Sequence, residues 1–109
     1  MALPVLSDDL TESELDDIVH NAVVASNFLK TLSHEGRLMI LCHLASGEKS
    51  VTDLEQLLSA RQSAVSQQLT RLRLEGLVEP TRRGKAIYYS ISDPRAVRIL
   101  ETVYDVFCK

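Results

Sequence analysis

Cysteine and glycine are scarce in this 109-residue chain, with two and four copies, and each scarcity closes off a class of protein. The cysteines, Cys42 and Cys108, stand 66 positions apart and form no CxxC pair, which excludes a disulfide-stapled scaffold and a thioredoxin-like redox motif. The four glycines build no phosphate-cradling loop, and no Ser/His/Asp constellation accompanies them; neither an enzyme nor a cofactor is expected. No apolar run approaches the roughly 18 residues that a membrane span needs, and the opening MALPVLSDDL lacks a basic n-region. The expectation is a cytosolic protein with no membrane partner. In that compartment thiols stay reduced, so two widely separated cysteines read as a switchable pair rather than a permanent bridge.

Positive charge is also short, and its placement is uneven. The net charge is −3, but residues 1–60 hold three cations against ten acids, whereas residues 61–95 hold seven cations against three acids. The basic third is therefore the place to seek a polyanionic partner.

Within it, ARQSAVSQQLTRLRLEGLV separates its residues onto two faces of one helix. Val65, Leu69 and Leu72 recur at i, i+4 and i+7 as a core stripe. Ser63, Ser66, Gln67, Thr70 and Arg71 share the opposite face, flanked by Gln62 and Gln68. That face holds hydroxyls, amides and a guanidinium but no acid, a set that suits base edges and phosphates in a DNA major groove. Taken alone it also suits plain solvation.

The next segment decides for DNA. Gly76 stops the helix, and two alternating runs follow around Arg82-Arg83-Gly84-Lys85. Gly84 supplies the positive φ of a tight turn, and Arg82, Arg83 and Lys85 crowd three cations onto one tip. Cations so close call for a counterion, which a phosphate backbone provides. A helix-turn-helix followed by a basic hairpin is a winged helix.

The remaining chain reads as helices. Thr11-Glu12-Ser13-Glu14 fits a capping box before an apolar helix that reaches Leu32. Ser33 is expected to cap a second helix closed by Gly47, and Ser50 or Thr52 a third carrying Val51, Leu54, Leu57 and Leu58. Asp93-Pro94 opens a last helix whose Val97, Ile99, Leu100, Val103, Tyr104, Val106 and Phe107 cover much of its circumference. Burial on two sides in so small a chain implies a partner. The expected architecture is mainly α with a small β-hairpin: one winged helix-turn-helix domain over 1–109, flexible over 1–10, forming a homodimer through its first and last helices.

The elements HEGRLMIL, VTDLEQLL, SAVSQQLTRLRLEGLV and RRGKAIYYSISD, in this order, resemble the ArsR/SmtB group of bacterial winged-helix repressors over nearly the whole chain. The resemblance implies a homodimer that releases operator double-stranded DNA when an effector binds. Many members sense metals, and the metal positions can be compared one by one. Where arsenic and lead/cadmium sensors carry a cysteine pair in E-L-C-V-C-D-L, this chain has Ser50 and Thr52, which cannot replace soft thiolates. Where zinc sensors carry D-x-H it has Asp93-Pro94-Arg95, and the later ligand positions fall on Val106 and Lys109. His20, His34 and His43 lack ligand spacing, so no metal site is expected.

Cys42 and Cys108, together with CHLASGEKSVT and the terminal YDVFCK, resemble the sulfide- and persulfide-responsive subgroup that includes the biofilm growth-associated repressor. That resemblance implies a bridge between the two thiols, direct or through added sulfur, that lowers DNA affinity and derepresses sulfide-oxidation genes, with reactive sulfur species as effector. A metal-responsive or effector-independent repressor remains the alternative, and a thiol redox enzyme a distant one. For DNA the expected contacts are Gln62, Ser63, Ser66, Gln67, Gln68, Thr70 and Arg71 on the helix and Arg82, Arg83 and Lys85 on the wing. Tyr88, Tyr89 and Tyr104 are expected to fill core.

Overall fold

Thr11 opens the first helix, α1 (Glu12–Leu32), in a computed structural model that describes residues 8–59 and 62–108, the side chains of Gln62 and Ser63 lying outside that description. Most of the expected flexible segment 1–10 also lies outside the described residues; Asp8 and Asp9 form a turn. Thr11 Oγ1 accepts the Glu14 N–H at 3.2 Å, and Glu12 and Glu14 in the first turn with Lys30 in the last complement the helix dipole. The chain divides into two units, Met1–Lys30 and Thr31–Lys109. In the first, Leu15, Val19 and Val23 form an exposed i, i+4, i+8 stripe.

The second unit begins with the last two residues of α1, both buried. Helix α2 (Glu35–Leu44) is capped by His34, whose side chain accepts from the Gly36 N–H. The expected cap was Ser33; the imidazole prevails because its Nδ1 reaches Gly36 N at 3.0 Å. Ile40, Leu41 and Leu44 turn inward. Gly47 bonds back to the Leu44 carbonyl with φ of 139°, a backbone setting open mainly to glycine.

A two-residue strand, β1 (Lys49–Ser50), leads directly into α3 (Val51–Leu58). Ser50 is both the end of the strand and the N-cap: its hydroxyl accepts from Asp53 N at 3.0 Å while Asp53 Oδ2 accepts from Ser50 N at 3.1 Å, the reciprocal capping box. Of the apolar residues expected to pack from α3, Leu54 is fully buried and Leu57 is exposed. Ser59 ends α3 in the left-handed conformation. The turn expected over Ser59–Gln62 includes Ala60 and Arg61, which lie outside the described residues.

Helix α4 (Gln62–Leu74) buries Val65, Leu69 and Leu72, as its periodicity requires. It ends in a Schellman motif: Leu77 N–H bonds to Leu72 O and Gly76 N–H to Arg73 O, both at 2.9 Å, with Gly76 at φ 78°. Leu72 and Leu77, the hydrophobic pair of that motif, are both buried.

Strands β2 (Val78–Arg83) and β3 (Ala86–Ile91) pair antiparallel from Val78↔Ile91 to Arg83↔Ala86. Two residues, Gly84 and Lys85, join them, with positive φ at Gly84, the pattern of a II′ hairpin turn. The expected hairpin is thus present, but the sheet has three strands in the order β1-β3-β2, because Lys49 and Ser50 pair with Tyr89 and Tyr88. Helix α5 (Pro94–Phe107) starts at the N-cap Asp93 and buries Ala96 and Leu100.

Candidate DNA interface and thiol site

On α4 the polar face opposes the buried stripe. Gln67, Thr70 and Arg71 are exposed and Ser66 is half-buried. Thr70 donates its hydroxyl hydrogen to the Ser66 carbonyl at 2.9 Å, so the hydroxyl keeps its lone pairs for an outside donor. Arg71 makes an i, i+4 ion pair with Glu75 at 3.4 Å. Gln68 does not share this face freely: its Oε1 accepts from Arg37 Nη1 at 3.2 Å. Gln62 lies at the start of α4 with Ser63 beside it, and their side chains fall outside the described residues.

The wing gathers Arg82, Arg83 and Lys85, all exposed, around the Gly84 turn. Arg82 Nε donates to the Gly84 carbonyl at 3.2 Å, which closes the tip. Arg83 is ion-paired with Glu48, just before β1, and its guanidinium lies 5.4 Å from the Tyr88 ring centroid. The expected counterion for the wing is therefore supplied in part from within the chain. Sequence reasoning missed Glu48, because no local spacing links it to a hairpin thirty-five positions later.

The thiols lie on two helices that pack together in the second unit. Cys42 is on α2, Cys108 is the C-cap residue of α5, and both are reduced and exposed. A cavity of about 490 Å³ opens beside Cys42, walled by Ala45, Val97, Leu100, Glu101, Tyr104 and Asp105. Partial burial in that wall pushes the Cys42 thiol above its ordinary value, and the charge of Cys108 pushes it the same way. The second influence requires the two sulfurs to share one electrostatic neighbourhood. Tyr104, expected in the core, is 56% exposed and lines this cavity instead, because the helix turns its 97/100/101/104 side toward the opening. Tyr88 and Tyr89 are half-buried in β3.

Among the described residues, no three His, Cys, Asp or Glu side chains gather where a metal ion could be held, and no helix is long and apolar enough to cross a membrane. At the foot of α5, Asp93 accepts from Arg95 N at 2.9 Å and pairs with Arg95 Nη2 at 2.7 Å. The hydrogen bonds from the Arg95 guanidinium hold the Asp93 carboxyl below the usual range.

Residues 34–80 match the family described as bacterial regulatory protein, arsR family. The chain is 42% identical over 100 residues to the biofilm growth-associated repressor of Agrobacterium fabrum, covering 92% of this chain and 86% of that protein. This protein belongs to the ArsR family. Its structure superposes on the transcriptional repressor BigR from Xylella fastidiosa with a TM-score of 0.81 at 41% identity, covering 87% of this chain and 97% of that one. Reduced HlyU from Vibrio cholerae gives a TM-score of 0.82 at 33% identity, over 86% and 99% of the two chains. As an ArsR-family member the protein is a DNA-binding transcriptional regulator with a winged helix-turn-helix, and not an enzyme. In ArsR terms, α3 and α4 are its helix-turn-helix and β2–β3 its wing.

Proposed function

We propose that this chain is a thiol-responsive repressor that releases operator DNA when reactive sulfur species bridge Cys42 and Cys108. The observation that carries the reading is the placement of the two thiols on packed elements, Cys42 on α2 beside a cavity walled by α5 and Cys108 at the C-cap of α5. A bridge there ties a helix of the DNA-binding core to the last helix of the chain. That constraint biases the placement of the recognition helices.

Cys108 acts as the first nucleophile, since Cys42 is held toward its protonated form. Its thiolate attacks the terminal sulfur of a persulfide RSSH, the S–S bond breaks, and the electron pair leaves with RS⁻, which takes up a proton. Cys42 then gives up its proton and attacks the inner sulfur of the Cys108 persulfide, expelling hydrosulfide. The sum is two thiols and RSSH giving a disulfide, RSH and H₂S. Where both cysteines are first persulfidated, loss of one H₂S leaves a trisulfide instead. Relief of repression then serves genes of sulfide oxidation.

On DNA, Ser63, Ser66, Gln67 and Thr70 read bases and nearby phosphates, with Gln62 and Arg71 at the edges, while Arg82, Arg83 and Lys85 hold backbone. The protein works as a homodimer, a reading supported by the apolar residues left uncovered on α1 and on α5, where Val106 and Phe107 are 64% and 80% exposed. The dimer sets two recognition helices on two half-sites.

The test is intact and peptide-level mass spectrometry, without reductant, after separate treatment with glutathione persulfide and hydrogen peroxide. A Cys42–Cys108 link formed in the persulfide sample, as a disulfide or carrying added sulfur, supports the reading. Two unlinked cysteines in both samples overturn it.

A further inference from the structure

Three residues at the start of α2, His34, Gly36 and Arg37, form a junction with Gln68 of α4 that neither the DNA face nor the thiol site accounts for. Arg37 is its centre. Its Nε donates to the Thr31 carbonyl at 2.6 Å and its Nη1 to Gln68 Oε1 at 3.2 Å. The Thr31 carbonyl belongs to the last turn of α1, where no intrahelical donor remains, and the fixed fork of a guanidinium can serve that oxygen and an amide at once. Gln68 Nε2 lies 3.4 Å from His34 Nε2, and His34 Nδ1 caps α2 through Gly36 N. Gly36 makes room for this: a Cβ there would lie 3.2 Å from His34 Cε1 and 3.7 Å from Gln68 Cγ.

The Arg37–Gln68 bond governs the junction. His34 Nδ1 accepts from Gly36, so the neutral ring carries its hydrogen on Nε2 and offers Gln68 a donor. Two donors, Arg37 Nη1 and His34 Nε2, thus compete for one amide oxygen. Turning the amide over would satisfy His34 but set the Gln68 NH₂ against the guanidinium. The charged and shorter bond holds the oxygen, and the amide faces α2.

We infer that Arg37 is a positioning residue for DNA recognition: through Gln68 it fixes the rotation of α4 about its own axis, and so aims Ser66, Gln67 and Thr70 without itself meeting DNA. Gln68, expected from sequence to help at the edge of the groove, serves inside the protein. The inference rests on α4 being the groove-reading helix.

The test uses the full-length reduced protein and a duplex selected by the wild type from a random-sequence library, titrated across a salt series. Gln68→Ala and Arg37→Met each lower affinity for the selected duplex about 10-fold, because both remove the Arg37–Gln68 bond, a hydrogen bond to a charged group, on which the aim of α4 depends. The slope of log affinity against log salt stays at the wild-type value, because no phosphate contact is removed. The double variant loses no more than the worse single variant, since both act through one bond. If Arg37→Met does not fold, Arg37→Lys completes the same cycle. Additive losses, or a Gln68→Ala protein that changes preference at one base pair, would overturn the inference. Gln67→Ala run alongside separates the two levels: if it leaves sequence preference intact, α4 is not the reading helix, whereas altered preference combined with additive Arg37 and Gln68 losses removes only the positioning role.

Discussion

Arg83 at the tip of the wing is ion-paired with Glu48, the residue that leads into β1. One wing cation is therefore held by an acid of the same chain, which phosphate would displace on the proposed wing contact. Glu48→Gln should raise affinity for duplexes of any sequence by about two- to fivefold, the range of an exposed pair, and steepen the salt dependence by at most about one counterion. Fluorescence anisotropy across a salt series reads both. An unchanged affinity would mean that Arg83 does not meet the backbone.

Gln67 stands exposed on the polar face of α4, and its side chain makes no hydrogen bond to another among the described residues, in contrast to Gln68 one position on. Replacing it with alanine should cost about 1 to 3 kcal/mol on the preferred sequence if its base contact is bidentate, and little on random duplex. The check is a pair of binding isotherms, one for each DNA.

Serine at either thiol should leave DNA binding intact and abolish release by persulfide. The pH dependence of Cys42 gives a second handle. Burial first, and the Cys108 charge second, raise its pKa above the ordinary thiol value, so the stability that its protonated form contributes is present below that ordinary value and fades as pH climbs through the folded one. In Cys108→Ser the pKa of Cys42 should fall part of the way, because burial remains. Thiolate absorbance against pH measures the step; a Cys42 pKa indifferent to Cys108 would contradict their proximity.

Asp93 caps α5 and is held ionised by hydrogen bonds from Arg95. Its pKa is lowered, so its contribution is present above the ordinary carboxylate value and disappears as pH drops through the folded value. Asp93→Ala should cost about 0.5 to 2 kcal/mol at neutral pH. Asp93→Asn keeps the cap but not the charge, and should lose less. Thermal unfolding of the three proteins at pH 7 and at pH 3 gives the comparison: the gap between wild type and the asparagine variant narrows in acid.

A charge at Val106 should keep protomers apart. Val106 is 64% exposed in the single chain, and Val106→Glu should shift the protein toward monomer in sedimentation velocity while the monomer keeps its far-UV spectrum. A dimer unaffected by the glutamate would remove this side of α5 from the interface.

The helices and the wing were legible because their signals are local. The Val65, Leu69, Leu72 stripe and the Gly76 and Gly84 punctuation each act within one or two turns of chain, and each stands where the spacing puts it. What escaped was set by distant partners. Two residues of β1 are too few to show a period of two, and their pairing with Tyr88 and Tyr89 is made across nearly forty positions. His34 displaced Ser33 as a cap because an imidazole nitrogen happened to reach Gly36. Glu48 and Arg37 carried no signal of their roles, since their partners Arg83 and Gln68 lie on other elements. Of the candidate site, the residue types on α4 and the wing could be read from the chain, but not which of them are already engaged within it.

Ser50 belongs at once to β1 and to the cap of α3. It stands opposite Tyr88 in the edge strand of the wing sheet, and the same residue seals the first turn of α3 against Asp53. The wing is thus bolted to the helix-turn-helix at its root, and on the proposed contacts the grip on the backbone and the reading of the groove form a single jaw. Any signal that loosens DNA must swing that jaw whole, so both kinds of contact should fail together rather than one after the other.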